Sequence, residues 1–274
     1  MVRDALFSSA ITALLAKGFS TREAVNEAKK YITGAIQHSL ELGKGNGPTN
    51  HSMIYIEGQE YMRMNYSLYL VADVSRTERH SLEKSVEQAI IGGCTAIQLR
   101  DKNISDLEFY NLARKIKEVT DKFKIPLIIN DRIDVALAVE AAGVHVGQSD
   151  LPAEVVRKII NKDMILGVSV TDINEAIRAQ KEGADYLGVG AVFSTTTKLD
   201  ASNVSKKMLK DIKKSVDIPV VAIGGINIHN LSDLLDTNID GIAVVSAILG
   251  QDNIVQASKQ LREVLIVGGI YNEL

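Results

Sequence analysis

Pro126-Leu127-Ile128-Ile129-Asn130-Asp131 is the stretch on which the fold turns: a short apolar run that stops at an amide and a carboxylate. A run of this length, bounded by polar residues, suits a buried strand. The pattern recurs at Leu68 to Ala72, Ala96 to Leu99, Val144 to Val146, Ile165 to Val168, Tyr186 to Val189, Val220 to Ile223 and Ile242 to Val245, eight runs in all. Between them lie helical stripes such as Leu107, Tyr110, Leu112, Ile116 and Val119. Seven polar clusters stand directly behind these runs: Gln98 to Lys102, Asn130-Asp131, Gln148 to Asp150, Ser169, Thr195 to Lys198, Gly224-Gly225 and Ser246. This layout predicts an α/β protein, a (β/α)8 TIM barrel with a small N-terminal helical extension, because the carboxyl ends of barrel strands converge on one face and carry the site residues. An open doubly wound sheet is the alternative.

A length of 274 residues with 46% hydrophobic content accommodates one barrel and a small appendage. The first section is the appendage. Ala5 to Lys17 predicts a helix stopped by Gly18, and Ser20 with Glu23 forms a capping box opening a second helix to about Leu42. Gly43-Lys44-Gly45-Asn46-Gly47-Pro48 cannot continue a helix and reads as a turn or linker. The expected organisation is a helical segment over 1–50, a linker over 51–65 and the barrel over 66–274. Two helices are too small to fold alone, so they are expected to pack on the barrel, another subunit or a partner.

A formal net charge of -3 supplies no global basic field, which argues against nucleic acid and acidic lipid as partners. Met1 to Lys17 is interrupted by Arg3 and Asp4 and lacks a cleavage-site pattern. No span approaches the roughly 18 uninterrupted apolar residues needed to cross a bilayer. A cytoplasmic protein with no membrane partner is the expectation. Barrel surfaces and helical appendages both make interfaces, so a homo-oligomer stays open. Cys94 is the only cysteine, which excludes an intramolecular disulfide and a multi-cysteine metal site, and it reads as a buried structural thiol.

Asp131 and Asp150 follow the third and fourth strands, neighbours in a barrel. Two carboxylates this close repel unless a cation or proton lies between them. Magnesium suits such a pair, since it takes one or two carboxylates and completes its shell with water and phosphate oxygens. The competing reading is that either aspartate caps the following helix. Arg100, Lys102 and Lys198 lie at the same rim and together could hold a diphosphate, although each taken singly reads more readily as a surface ion-pair partner. Thr195-Thr196-Thr197, Gly224-Gly225 and Ser246 follow strands six to eight, where barrel enzymes often bind phosphate. Two anion sites are thus expected, one with metal near strands two to four and another on loops six to eight. His145, inside the fourth run, reads as a hydrogen-bonded interior histidine rather than a metal ligand or base. His38, His51 and His80 read as solvated, and His229 is assigned no role.

The strings Gln98-Leu99-Arg100-Asp101-Lys102, Asn130-Asp131, Gly147-Gln148-Ser149-Asp150, Thr195-Thr196-Thr197-Lys198, Ala222-Ile223-Gly224-Gly225-Ile226 and Val245-Ser246, in this order and spacing, resemble the thiamine-phosphate synthase family over about 200 residues. The resemblance implies a (β/α)8 barrel that joins a pyrimidine diphosphate to a thiazole phosphate, giving thiamine phosphate and diphosphate. It implies that Gln98, Leu99, Arg100, Asp101, Lys102 and Asn130 hold the pyrimidine diphosphate, with Ser169 and Lys198 contacting it, and that Asp131 and Asp150 ligate Mg2+. Thr195 and Thr197, with Thr196 between them, and Gly225, Val245 and Ser246 are implied to hold the thiazole phosphate. The catalytic burden falls on Arg100, Lys102, Ser169 and Lys198.

The first 50 residues resemble the C-terminal end of hydroxymethylpyrimidine phosphate kinase, particularly Ser8 to Ala13, the helix around Ala24 to Ile36, and Gly43 to His51. The kinase's anion loop should precede Ser8, where this chain reads Met1-Val2-Arg3-Asp4, so phosphorylation is not expected. Two rival functions remain for the barrel. A thiazole tautomerase would perform proton transfer on one substrate without a diphosphate and magnesium apparatus, and a regulatory barrel would bind ligand without catalysis.

Overall fold

The computed structural model describes residues 2–16, 19–26, 28–29, 64–74, 81–194 and 204–271. The chain divides into two compact units, Met1–Met62 and Arg63–Leu274. In the first unit, helix α1 spans Val2–Ala16, beginning three residues before the sequence expectation. The predicted capping box is formed: the Ser20 N–H donates to Glu23 Oε2 at 2.9 Å and the Glu23 N–H donates to Ser20 Oγ at 3.4 Å. Residues 21–26 and 28–29 are helical. Gly18, the rest of that helix, the Gly43 to Pro48 turn, His38, His51 and His80 lie outside the described residues.

The second unit is a closed barrel of parallel strands, paired in sequence order. The strands are β1 Leu68–Asp73, β2 Ala96–Arg100, β3 Leu127–Asn130, β4 Gly143–Val146, β5 Ile165–Val170, β6 Tyr186–Val189, β7 Val220–Ile223 and β8 Gly241–Val244. β8 returns to β1 through Leu68↔Ile242, Tyr69↔Ala243 and Leu70↔Val244, which excludes the open sheet. Helices α2 Leu82–Ile91, α3 Asp106–Lys122, α4 Ile133–Ala138, α5 Ala153–Ile159, α6 Ile173–Lys181, α7 Lys206–Ser215, α8 Ser246–Leu249 and α9 Ile254–Val267 alternate with the strands. The connection after β7 is a 3-10 helix, Leu231–Thr237, ended by Asn238 in the left-handed region. Among the described residues no helix is long and apolar enough to cross a membrane.

Local chemistry sets the helix starts. Ser81, Ser105, Asp172, Ser205 and Asn253 each accept the backbone N–H of the third residue of α2, α3, α6, α7 and α9. Ser105 and Glu108 complete a reciprocal capping box. The strands then sort their side chains with a period of two. In β1, Leu68, Leu70 and Ala72 join the outer core between sheet and helices, while Tyr69 and Val71 belong to a separate cluster inside the barrel with Ala96, Ile128, Tyr186, Val221 and Ala243. Most apolar burial is on the outer layer. The interior is left free to turn polar toward the strand ends.

Cys94 is buried, and burial pushes its thiol up to about 12, as a structural thiol requires. Leu99 is fully buried in the outer core, beside residues such as Leu127 and Ile129. Leu99→Ala is therefore expected to cost about 2–5 kcal/mol of folding stability, read as a lower urea midpoint. A loss below roughly 1 kcal/mol would contradict this packing.

Candidate active site

The inward parity of each strand, carried to its carboxyl end, builds the site. Asp73 follows Tyr69 and Val71 on β1, Arg100 follows Gln98 on β2, Asn130 ends β3, and Ser169 lies on β5 two residues after Gly167. These side chains, with Lys102, Asp131, Asp150, Gly225, Val245 and Ser246, line one cavity of about 420 Å³ at the carboxyl ends of the strands. Thr195, Thr196, Thr197 and Lys198 lie outside the described residues. Leu99 and Asp101 are not on the cavity wall. Leu99 has the opposite parity to Gln98 and Arg100 and faces the helices, and the Asp101 carboxylate accepts the Asn103 N–H at 2.7 Å in a local turn.

Asp131 and Asp150 line the same mouth, close enough for Asp150 to perturb Asp131, and Lys102 Nζ lies 3.4 Å from Asp131 Oδ2. Burial first, then the adjacent Asp150, raises the Asp131 carboxyl above its ordinary value of 3.8. Asp150 accepts the Gly147 N–H at 2.7 Å, which fixes its loop. Neither aspartate caps a helix: the residues at the starts of α4 and α5 are Arg132 and Pro152, and neither makes a side-chain capping bond. Asp131 also holds φ +60°, a left-handed backbone that costs energy for a residue with a side chain.

The donor set fits magnesium. It consists of hard oxygen donors from two carboxylates whose mutual repulsion a divalent cation would relieve, beside an open cavity from which water and phosphate could complete the shell. Among the described residues no third His, Cys, Asp or Glu joins them into a protein-only cage. That arrangement suits an ion that keeps its waters better than it suits zinc.

Cations and backbone donors surround this pair. Arg100 Nη1 donates to Asp73 Oδ2 at 2.6 Å, with the Asp73 side chain 8% and the Arg100 side chain 21% exposed. One fork of the guanidinium is thereby held, aiming the rest. Across the cavity, Gly224 and Gly225 have φ +101° and +66°. A Cβ on Gly224 would lie 2.5 Å from Ala191 Cα, and one on Gly225 2.5 Å from Ser194 O. Only glycine fits there, which brings the backbone of this loop to the cavity beside Ser246.

Below the rim runs a chain of polar groups, the buried Gln98, Tyr69, Tyr186 and His145 and the half-buried Ser169. His145 Nδ1 is 2.8 Å from Tyr186 Oη and Nε2 is 2.9 Å from Ser169 Oγ, so this histidine is hydrogen-bonded in the interior as its sequence context indicated. Sequence reasoning missed Asp73, Tyr69 and Tyr186 as members of the cavity wall. The signal for Asp73 was present, a carboxylate ending the first strand as others follow the third and fourth.

A closed (β/α)8 barrel whose strand ends present paired carboxylates, cations and a glycine loop to one pocket fits an enzyme of phosphate-bearing small molecules. The comparisons narrow the class. A family model described as Thiamine monophosphate synthase matches residues 68–248, and one described as Phosphomethylpyrimidine kinase matches residues 5–50. The chain is 56% identical over 204 residues to the thiamine-phosphate synthase of Clostridium beijerinckii, covering 74% of this chain and 98% of that protein. It is 57% identical over 204 residues to that of Ruminiclostridium cellulolyticum, covering 74% and 97%. The solved thiamine phosphate pyrophosphorylase of Pyrococcus furiosus superposes with a TM-score of 0.69 at 41% identity, covering 75% of this chain and 98% of that one. The chain belongs to the thiamine-phosphate synthase family.

The strained, mutually repelling aspartate pair yields a stability test. The raised Asp131 pKa means that the folded state holds its proton more tightly than the unfolded state, so its ionisation costs stability as pH rises from 3.8 through the raised value. Asp131→Asn keeps a residue tolerant of left-handed backbone and removes the charge. In chelator-containing buffer at neutral pH, Asp131→Asn is expected to be more stable than the parent, read as a higher denaturant midpoint. The gap should close as pH falls below 3.8, measured by denaturant titration at each pH.

Proposed function

We propose that the barrel condenses a 4-amino-2-methyl-5-(diphosphooxymethyl)pyrimidine with a thiazole phosphate, giving thiamine phosphate and diphosphate. The observation that carries this reading is the convergence of Asp131, Asp150, Arg100 and Lys102 on one side of the cavity with the Gly224-Gly225 loop and Ser246 on another. A diphosphate needs the first set and a phosphate monoester the second. On this reading residues 66–274 are the catalytic barrel, 51–65 a linker, and 1–50 a kinase-tail-like segment. The tautomerase alternative would leave the cation and carboxylate cluster without a use.

In the proposed reaction, the bond between the pyrimidine methylene carbon and the diphosphate oxygen breaks first, and its electron pair leaves with the oxygen. The electron-rich aminopyrimidine delocalises the positive charge left on the methylene. The thiazole nitrogen then donates its lone pair to that carbon. That nitrogen has no proton to lose, so no general base is required. Arg100, steadied by Asp73, and Lys102, beside Asp131, stabilise charge growing on the leaving oxygens, with Lys198 and Ser169 as further contacts. Gln98 and Asn130 orient the pyrimidine portion, while Thr195 to Thr197, Gly225, Val245 and Ser246 hold the thiazole phosphate so that its nitrogen meets the methylene. Asp131 and Asp150 hold Mg2+, which when bound neutralises charge on the diphosphate.

Diphosphate release with both substrates tests the assignment. Asp131→Ala and Asp150→Ala are each expected to lower magnesium-dependent turnover about a hundredfold or more, and near-normal rates in both would refute the metal site. For the order of bond breaking, an electron-withdrawing substituent on the pyrimidine should slow turnover strongly, whereas indifference would favour direct displacement.

A further inference from the structure

The floor of the cavity is a single hydrogen-bonded file that crosses the barrel from β2 to β5. Gln98 Nε2 donates to Tyr69 Oη at 3.1 Å, Tyr69 Oη lies 3.0 Å from Tyr186 Oη, Tyr186 Oη lies 2.8 Å from His145 Nδ1, and His145 Nε2 lies 2.9 Å from Ser169 Oγ. Its two ends, Gln98 and Ser169, are residues that the proposed function assigns to substrate. Its three middle members have no role there.

Counting protons gives the file a direction. Gln98 Nε2 has only hydrogens to offer, so Tyr69 accepts from it. The Tyr69 hydrogen then has Tyr186 as its acceptor, and the Tyr186 hydrogen has Nδ1 of the imidazole. A neutral His145 that accepts at Nδ1 carries its hydrogen on Nε2 and donates it to Ser169. The Ser169 hydrogen is the one left over, and Ser169 lines the cavity. Run the other way, Tyr69 would accept twice and its own buried hydrogen would lack an acceptor. Turning the Gln98 amide end for end would reverse every bond, so the tautomer of His145 reports the polarity.

The barrel makes room for this file. A Cβ on Gly167 would lie 2.2 Å from Tyr186 Cζ and 2.4 Å from His145 Nδ1, and a Cβ on Gly188 would lie 3.1 Å from His145 Cε1. The two rings are therefore fitted against glycine backbone on β5 and β6, with centroids 5.5 Å apart, while Tyr66 packs on the Tyr186 ring at 4.9 Å. Tyr69, Tyr186 and His145 are all buried, beneath the cavity that they help to line.

We propose that Tyr69, Tyr186 and His145 are positioning residues that fix the Nε2–H tautomer of His145 and thereby present the Ser169 hydroxyl to the cavity as a hydrogen-bond donor. Resting on the proposed function, the acceptor is an anionic oxygen of the departing diphosphate. The donor gains strength as charge develops on that oxygen, so the file acts on turnover more than on binding.

Nitrogen-15 NMR of the imidazole in the whole protein, together with steady-state kinetics, tests this. The parent should show a protonated Nε2 and an unprotonated Nδ1 at His145. Tyr186→Phe should mix the tautomers and lower kcat about tenfold, with KM for the thiazole phosphate nearly unchanged. Gly167→Ala, which displaces both rings without removing a polar group, should reproduce the kinetic pattern. Ser169→Ala combined with Tyr186→Phe should be no slower than Ser169→Ala alone. A protonated Nδ1 in the parent, or unchanged kcat in a folded Tyr186→Phe, would overturn the inference while leaving the function standing. A parent protein that releases no diphosphate from the two substrates would overturn the function, and the tautomer measurement would still decide the polarity.

Discussion

Closure of the sheet between β8 and β1 is the constraint on which everything else in the barrel unit depends. The pairing of Leu68 with Ile242 and of Leu70 with Val244 turns eight strands into a ring, so each strand has an inside and an outside rather than two sheet faces. The carboxyl ends then share one mouth. In an open sheet, β1 and β8 would lie at opposite edges, and Asp73 and Ser246 could not line the same cavity. Register completes the placement: Asp73 pairs with Arg100 across β1 and β2, so the guanidinium finds its carboxylate on the neighbouring strand at the same height.

The ring also divides labour between its two surfaces. The outer layer, including Leu70, Leu99, Ile116, Leu166 and Leu209, is closed to solvent and carries the hydrophobic driving force. The inner layer can therefore hold Gln98, His145 and two tyrosines without being asked to stabilise the fold by apolar burial. Strain at the rim draws on the same reserve. The left-handed backbone of Asp131 and its closeness to Asp150 oppose folding, and a surrounding structure with a complete outer core can tolerate both.

Much of this was legible from residues alone because the eight runs are short, apolar and separated by helical stripes. β6 and β7 coincide with the runs Tyr186 to Val189 and Val220 to Ile223. β1 and β2 each extend one residue further, to Asp73 and Arg100, because an inward polar side chain at the mouth does not interrupt the backbone ladder. An apolar criterion stops at Ala72, and that is why Asp73 went unseen. The string Gln98 to Lys102 was read as a block, whereas a period of two splits it and sends Leu99 to the helices. The capping ambiguity of Asp131 and Asp150 could not be broken in sequence, since a cap and a rim ligand both follow a strand. Backbone geometry removes the capping reading, because Arg132 and Pro152 occupy the helix starts. The Tyr69–Tyr186–His145 contacts join residues up to 117 positions apart, a proximity that no local pattern encodes.

The site is layered electrostatically as well as sterically. The tyrosines of its floor are uncharged: burial raises the hydroxyl pKa of Tyr69 and, aided by the neighbouring Tyr69, that of Tyr186, so neither ionises at ordinary pH. Its rim carries the charges, Asp73 with Arg100 and Lys102 with the aspartate pair. Fields from those charges pass through poorly polarisable barrel interior on one side and the cavity on the other, so they are screened less than the exposed ion pairs of the helices. A polyanion drawn to this mouth meets fixed charge at the entrance and fixed dipoles beneath it. Fixed dipoles need no reorganisation when charge moves, which is the property a site must have if bond breaking, rather than proton transfer, is its task.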